Sequence, residues 1–199
     1  MVTNTGVLIL AGGLSSRMDF PKPWLSYDER FTFLERIIHL YQKAGVTAIA
    51  TVINSEFCKK PWAEKTAAVS QTCSMIVNDH PALGRLHSVQ LGLQHLGADN
   101  LFIHNVDSPF VGEQLMANLL AAHSGSGVTI PVKEGRKGHP ILIGPDVKKT
   151  ILEHYAAFNS LRDLIVIFEQ QLVETDDDGI FVNINTRQQY QQVTGERIR

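Results

Sequence analysis

Two basic side chains follow a pair of glycines near the start of the chain. An apolar run at residues 7–11 is typical of a buried parallel strand, and it stops at Gly12 and Gly13, with Arg17 and Lys22 shortly behind. Because glycine has no Cβ, the amides of such a turn can approach phosphate oxygens closely. Arginine adds a planar fork for paired phosphate oxygens, and lysine adds a compact charge for one phosphoryl group. The pattern predicts phosphate handling.

The simpler alternative for this glycine loop, residues 12–22, is an ordinary turn with solvated basic residues. The ordered combination of strand, Gly-Gly, Ser-Ser, Arg and a lysine between two prolines favours the phosphate site instead. The loop has neither the Gly-Lys-Ser/Thr of a P-loop nor the Gly-x-Gly-x-x-Gly of a dinucleotide fold. A redox dinucleotide protein is therefore disfavoured.

A second apolar strand, residues 101–106, leads directly to Asp107, and Pro109 prevents the strand from continuing. A carboxylate at the end of a buried strand suits Mg²⁺, which takes one or two protein carboxylates and leaves its other positions to water and phosphate. The alternative role is an N-cap for a helix over about 112–123. Ser108 or Gly112 could cap that helix equally well, so we interpret Asp107 as a metal ligand.

These motifs resemble those of the nucleotidyltransferases that attach a nucleotide to molybdopterin, and of their sugar-phosphate relatives. The resemblance covers nearly the whole chain and is most specific at residues 10–22, 107–109 and 183–186. The last of these looks like the Asn-x-Asn-Thr motif that closes the family's fold. The chain departs from the pattern at Asp19, where those enzymes often have glycine, so the backbone angle and the direction of this carboxylate are open.

The resemblance implies further roles. Residues expected to bind the nucleotide are Leu10, Ala11, Gly12, Gly13, Asn54, Asp79, Gly84 and Ser88. Of these, Asn54 and Asp79 would help to recognise the base, although both residue types are also ordinary turn formers. His139, in a Gly-His-Pro like that of the cytidylyl enzymes, and Arg162 would contact the second substrate. Asn185 would be a neutral second ligand of Mg²⁺ beside Asp107.

The inferred reaction is nucleotidyl transfer, in which an acceptor phosphate attacks the α-phosphorus of GTP or CTP and pyrophosphate leaves. Arg17 would neutralise the β- and γ-phosphates, Lys22 the α-phosphoryl group, and Asp107 would hold Mg²⁺. The acceptor implied by the resemblance is molybdopterin or the molybdenum cofactor. Two alternatives stay open: a nucleotidyltransferase for a sugar phosphate or other small phosphate, and a nucleotide-binding module without turnover.

The elements that must position these residues are strands alternating with helices. They predict a three-layer α/β/α sandwich with a mostly parallel, Rossmann-like sheet, of the nucleotide-diphospho-sugar transferase type. Residues 128–132 and 139–143 are expected to form an antiparallel hairpin, and residues 181–186 a further strand. In that arrangement, the glycine loop, Asp107 and the other polar strand ends would meet at one edge of the sheet.

Length and composition limit the classes of protein. The 199 residues are 44% hydrophobic, which predicts one domain over residues 1–199. The formal net charge of -2 argues against a nucleic-acid partner. No apolar run approaches about 20 residues and no secretory signal is evident, so we expect no membrane contact and a cytoplasmic location. Cys58 and Cys73 lack metal-ligand spacing. The oligomeric state is open.

Overall fold

Strands and helices alternate along most of the chain in the computed structural model, which describes residues 4–196 and 198. The strands are β1 (Thr5–Ala11), β2 (Ala48–Asn54), β3 (Ser74–Asn78), β4 (Asn100–Asn105), β5 (Val128–Lys133), β6 (Arg136–Lys137), β7 (Ile141–Ile143) and β8 (Gln170–Glu174). The helices are α1 (Phe33–Lys43), α2 (Ala63–Val69), α3 (Gly84–Leu93), α4 (Glu113–Ala122), α5 (Pro145–His154), α6 (Leu161–Ile165) and α7 (Arg187–Thr194). Short 3-10 turns lie between several of them, including Lys22–Trp24 directly after the glycine loop.

The strands form one mixed sheet in the order β3-β2-β1-β4-β7-β5-β6, with β8 paired to β5. Strands β1, β2, β3 and β4 run parallel to one another, whereas β7 is antiparallel to both β4 and β5. After β3 the chain returns to the other side of β1, so the direction of winding reverses between β1 and β4. Ligands of open α/β sheets bind at the carboxyl edge beside such a reversal.

Alternate residues of β1 face two separate apolar layers. Val7 and Ile9 pack with α1 and α4, while Leu8 and Leu10 pack with α3 and α5. Residues of a strand point alternately to the two faces of its sheet, so a strand covered on both sides is apolar throughout. The predicted three-layer sandwich is confirmed.

Helix α1 begins where the sequence indicates. Thr32 accepts a hydrogen bond from the amide of Glu35, and the Glu35 carboxylate accepts one from the amide of Thr32, which completes a capping box. Its apolar side chains are fully or almost fully buried against the sheet. On the other face, α3 approaches β1 closely because Gly92 has no side chain: a Cβ there would lie 2.3 Å from Leu8 Cδ1.

The antiparallel hairpin is confirmed, but its strands differ in detail from the prediction. The turn strand β6 pairs with β5, and the returning strand β7 lies between β4 and β5. The predicted strand at residues 181–186 is wrong. The backbone of this segment pairs with no strand among the described residues, and the amide of Ile184 donates to the carbonyl of Asp107 at 2.9 Å. The strand beside β5 is β8.

Within the described residues, every helix is too short or too polar to cross a bilayer.

Candidate active site

A cavity of about 270 Å³ opens at the carboxyl ends of β1 and β4, where the winding of the sheet reverses. The two strands are neighbours in register, with Leu10 opposite Asn105, and the amide of Val106 donates to the carbonyl of Leu10. The glycine loop and Asp107 therefore begin side by side. The residues that line the cavity are Leu10, Ala11, Gly12, Gly13, Ser15, Lys22, Pro23, Pro81, Gly84, Arg85, Ser88, Asn105, Val106, Asp107 and Asn185.

Three predicted site residues meet at one ammonium group. Lys22 Nζ lies 2.9 Å from Asp107 Oδ2 and donates to Asn185 Oδ1 at 2.8 Å. A guanidinium nitrogen of Arg17 donates to the same Asn185 oxygen at 3.4 Å. The side chains of Lys22 and Asp107 are each only 15% exposed, so solvent screens this pair less than a surface pair. Lys22, Asp107 and Asn185 line the cavity, whereas Arg17 is exposed, does not line it, and joins the group through Asn185.

The second carboxylate oxygen of Asp107, Oδ1, is suited to bind a metal ion. Asp107 Oδ1 is buried and has no hydrogen-bond partner within the described residues, although a buried carboxylate oxygen is costly to leave without one. The alternative role as an N-cap is not observed, because Gly112 precedes α4 and its amide donates to Asp177 at 2.7 Å. A carboxylate oxygen without a partner is the type of hard donor that Mg²⁺ prefers, and the amide oxygen of Asn185 is a second oxygen donor at this site.

The glycine loop approaches its neighbours closely at its first residue. A Cβ on Gly12 would lie 3.3 Å from Ser88 Oγ, whereas one on Gly13 would meet nothing within 4 Å. At the far end of the loop, Asp19 adopts the left-handed region with φ of +48°. Its exposed carboxylate lies 3.9 Å from a guanidinium nitrogen of Arg187. Asp19 thus pairs with a cation of its own.

The residues expected to bind the nucleotide divide into two groups. Six of them line the cavity: Leu10, Ala11, Gly12, Gly13, Gly84 and Ser88. Asn54 and Asp79 do not, and Asn54 Oδ1 instead accepts the amide of Glu56 and starts a 3-10 turn. The buried Asn78, which we did not single out, donates to Ser88 Oγ at 3.0 Å. Base recognition by Asn54 and Asp79 stays a prediction.

Two residues were expected to contact the second substrate. His139 is partly buried, and Arg162 is exposed on α6. Neither lines the cavity. Burial and the nearby Arg85 lower the pKa of His139, while Asp107 opposes that shift, so His139 lies within electrostatic reach of the cavity's charges. Arg85 itself lines the cavity and was missed. Its position in the sequence, between the expected nucleotide-binding residues Gly84 and Ser88, was the signal that could have identified it.

A buried histidine supports the turn that carries Asp107. His104 Nε2 lies 2.9 Å from the carbonyl oxygen of Ser108, and Nδ1 lies 3.0 Å from the hydroxyl of Tyr41. A carbonyl can only accept, so Nε2 carries the hydrogen, and a neutral ring leaves Nδ1 to accept from Tyr41. Ser108 in turn donates to Asn183 Oδ1 at 2.6 Å. The hydrogen bond between Ser108 and Asn183 thus links the segment that carries Asp107 to the segment that carries Asn185.

Burial lowers the pKa of His104 to about 4, from an ordinary value of 6.5. A lowered histidine pKa means that the unfolded chain binds the proton more readily than the folded chain does. The free energy of unfolding is therefore undiminished by His104 above about pH 6.5 and decreases as the pH drops toward 4. We expect His104 to contribute a loss of about 3 kcal/mol over this window. Urea unfolding of the wild type and of His104→Gln at several pH values measures it. Parallel stability profiles of the two proteins would contradict this origin.

Comparisons with known proteins agree with this architecture. Residues 7–175 match the MobA-like NTP transferase domain. A probable molybdenum cofactor guanylyltransferase from Bacillus cytotoxicus is 28% identical over an alignment of 192 residues that covers 92% of each chain. A nucleotidyl transferase from Methanothermobacter thermautotroptrophicus superposes with a TM-score of 0.78 at 19% identity, covering 96% of both chains. A Mycobacterium tuberculosis protein crystallised in complex with manganese has a TM-score of 0.74 at 14% identity and covers 98% of this chain and 100% of its own. At these identities the two structures establish the fold alone.

Proposed function

This chain belongs to the MobA-like NTP transferase family, and we propose that it transfers GMP or CMP from the triphosphate to molybdopterin or the molybdenum cofactor. The family and the relatives it matches make it a nucleotidyltransferase of the MobA type. The nucleotide, the acceptor and the metal are our proposal. The observation that supports it best is the Lys22 ammonium between Asp107 Oδ2 and Asn185 Oδ1 at the mouth of the cavity.

In the proposed reaction, an acceptor phosphate oxygen forms a bond to the α-phosphorus, and the bond from that phosphorus to the bridging oxygen of the leaving pyrophosphate breaks. No side chain has to act as the nucleophile. The amides of Gly12 and Gly13 approach the phosphates, Lys22 follows the α-phosphoryl group, and Arg17 neutralises the β- and γ-phosphates. Arg85 adds a further positive charge to the lining of the cavity. Positioning and charge neutralisation therefore account for the catalysis.

The residues present fit a divalent ion. Asp107, with its unpartnered Oδ1, and Asn185 would hold Mg²⁺. When bound, Mg²⁺ would neutralise phosphate charge and polarise the phosphoryl group that is attacked. The manganese complex of the Mycobacterium tuberculosis protein is a parallel for divalent ions on this fold. The described residues include no group of three or more His, Cys, Asp or Glu side chains suited to a metal, so the proposed ion would depend on the nucleotide for further ligands.

Two features point to different bases. The Bacillus relative is described as a probable guanylyltransferase, whereas the Gly-His-Pro of residues 138–140 resembles the cytidylyl enzymes. Incubating the protein with Mg²⁺, either GTP or CTP, and molybdopterin, molybdenum cofactor or a sugar phosphate separates these possibilities when pyrophosphate is measured. We expect release with the cofactor acceptors and one preferred base. Tight nucleotide binding without pyrophosphate release for any acceptor would instead favour a non-catalytic module.

A further inference from the structure

The first residue of α7, Arg187, reaches back to the glycine loop. Its Nε donates to the carbonyl of Met18 at 2.9 Å, and one of its terminal nitrogens lies 3.9 Å from Asp19 Oδ2. The side chain of Met18 is fully buried in the core. The loop is therefore held at Met18 from two sides, by the core through the side chain and by Arg187 through the carbonyl.

The same short segment also contacts the reactive side chains. Asn185, two residues before Arg187, accepts hydrogen bonds from both Arg17 and Lys22. Because Arg17 directly precedes Met18, a restraint on the Met18 carbonyl also restrains the backbone that carries the Arg17 guanidinium. Residues 185–187 thus fix the loop at its backbone and at both cationic side chains.

The loop needs such a restraint. Ser15 and Asp19 lie in the left-handed region, with φ of +52° and +48°, and neither is a glycine. Residues other than glycine adopt this conformation at a cost, and they retain it only where the surrounding contacts impose it. Inside the loop the backbone has one bond, from the amide of Met18 to the carbonyl of Ser15, and the amide of Lys22 lies 3.4 Å from Ser15 Oγ.

Arg187 is poorly placed to serve its own helix. A cation in the first turn of a helix faces the positive end of the helix dipole, which is unfavourable. The capping box of Thr186 and Gln189 already satisfies the start of α7 without it. The side chain is also more than half exposed, so it contributes little to the core. The bond to Met18 is the contact that accounts for an arginine here.

We propose that Arg187 is a positioning residue for nucleotidyl transfer, which acts by imposing the conformation of the glycine loop so that Arg17 and Lys22 both reach Asn185 beside the cavity. The inference rests on the function proposed above. Arg187 does not line the cavity, so it acts through the loop and not on the phosphates.

The test compares Arg187→Ala with Gln188→Ala, an exposed neighbour on the same helix, and with Arg187→Lys. We expect Arg187→Ala to lower kcat by about 10- to 100-fold and to change KM for the triphosphate by less than about 3-fold, since misplaced groups cost mainly in the transition state. Hydrogen exchange of the amides of residues 15–20 should become at least about 10-fold faster in this variant. Gln188→Ala should match the wild type, and lysine, which can still donate to Met18, should recover part of the protection.

Each other outcome decides against the proposal. Unchanged exchange in Arg187→Ala would show that the loop holds its shape without Arg187. A raised KM with unchanged kcat and exchange would make Arg187 a direct phosphate ligand. If the wild type released no pyrophosphate from any triphosphate and acceptor, the proposed function would fail, and the exchange rates would still show whether Arg187 orders the loop. Asp19→Asn removes only the weak ion pair between Asp19 and Arg187. We expect it to leave kcat and the hydrogen exchange of residues 15–20 nearly unchanged.

Discussion

Replacing Asp107 with alanine is expected to reduce the rate of nucleotidyl transfer by about 10²- to 10³-fold, the range typical for removing one electrostatic contact to a transition state. The variant removes both the oxygen that pairs with Lys22 and the buried oxygen that has no partner among the described residues. Pyrophosphate release at saturating triphosphate and Mg²⁺ measures the effect. Asp107→Asn is the sharper variant, because it keeps the shape and one oxygen acceptor while it removes the charge.

Stability should respond differently from activity. Asparagine keeps the shape of the side chain and still places a polar atom without a partner at the buried Oδ1 position, while Lys22 keeps its bond to Asn185 Oδ1. We therefore expect the melting temperature of Asp107→Asn to stay near that of the wild type. A variant that retains full activity, or one that loses activity only because it unfolds, would contradict the assigned role.

Lys22→Ala should also lower the rate by about 10²- to 10³-fold, with a smaller effect on the affinity for the triphosphate. The reason is that a charge on the α-phosphoryl group is most valuable while that group changes its bonding partner. Lys22→Arg should recover little, since a planar guanidinium cannot take the position of a compact ammonium between two oxygens 2.9 and 2.8 Å away. Steady-state kinetics with the preferred triphosphate gives both parameters.

Lys59→Ala is the matched control, because Lys59 is an exposed lysine that pairs with Glu56 three residues away and does not line the cavity. We expect its kinetics to equal those of the wild type. If Lys22→Ala changed KM and kcat no more than this control does, Lys22 would have no part in the chemistry.

The sequence predicted the core of the site because its signals are local. Gly12 and Asp107 come directly after apolar runs, Lys22 ends the loop that Gly12 begins, and the topology of a parallel sheet then brings such strand ends to one edge. The capping box at Thr32 and Glu35 was equally readable, since both partners lie within one turn. For these features the sequence spacing alone determines the contact.

Features that depend on partners distant in the chain were harder to predict. The polar segment of β8 shows little apolar alternation because it is an edge strand with several exposed positions, whereas residues 181–186 alternate like a strand but find no strand beside them. Asn54 and Asp79 follow their strands as expected, yet only the folded chain shows that the Asn54 oxygen is used in its own turn. The contact between Arg187 and Met18 spans 169 positions and has no local signature.

The bond between Lys22 and Asn185 joins positions 163 residues apart. During synthesis the glycine loop emerges from the ribosome before Asn185, which follows the eight strands of the described residues. A nascent or truncated chain that ends before this segment would carry both cations without their shared oxygen. Such fragments should therefore lack the arrangement on which the proposed catalysis depends.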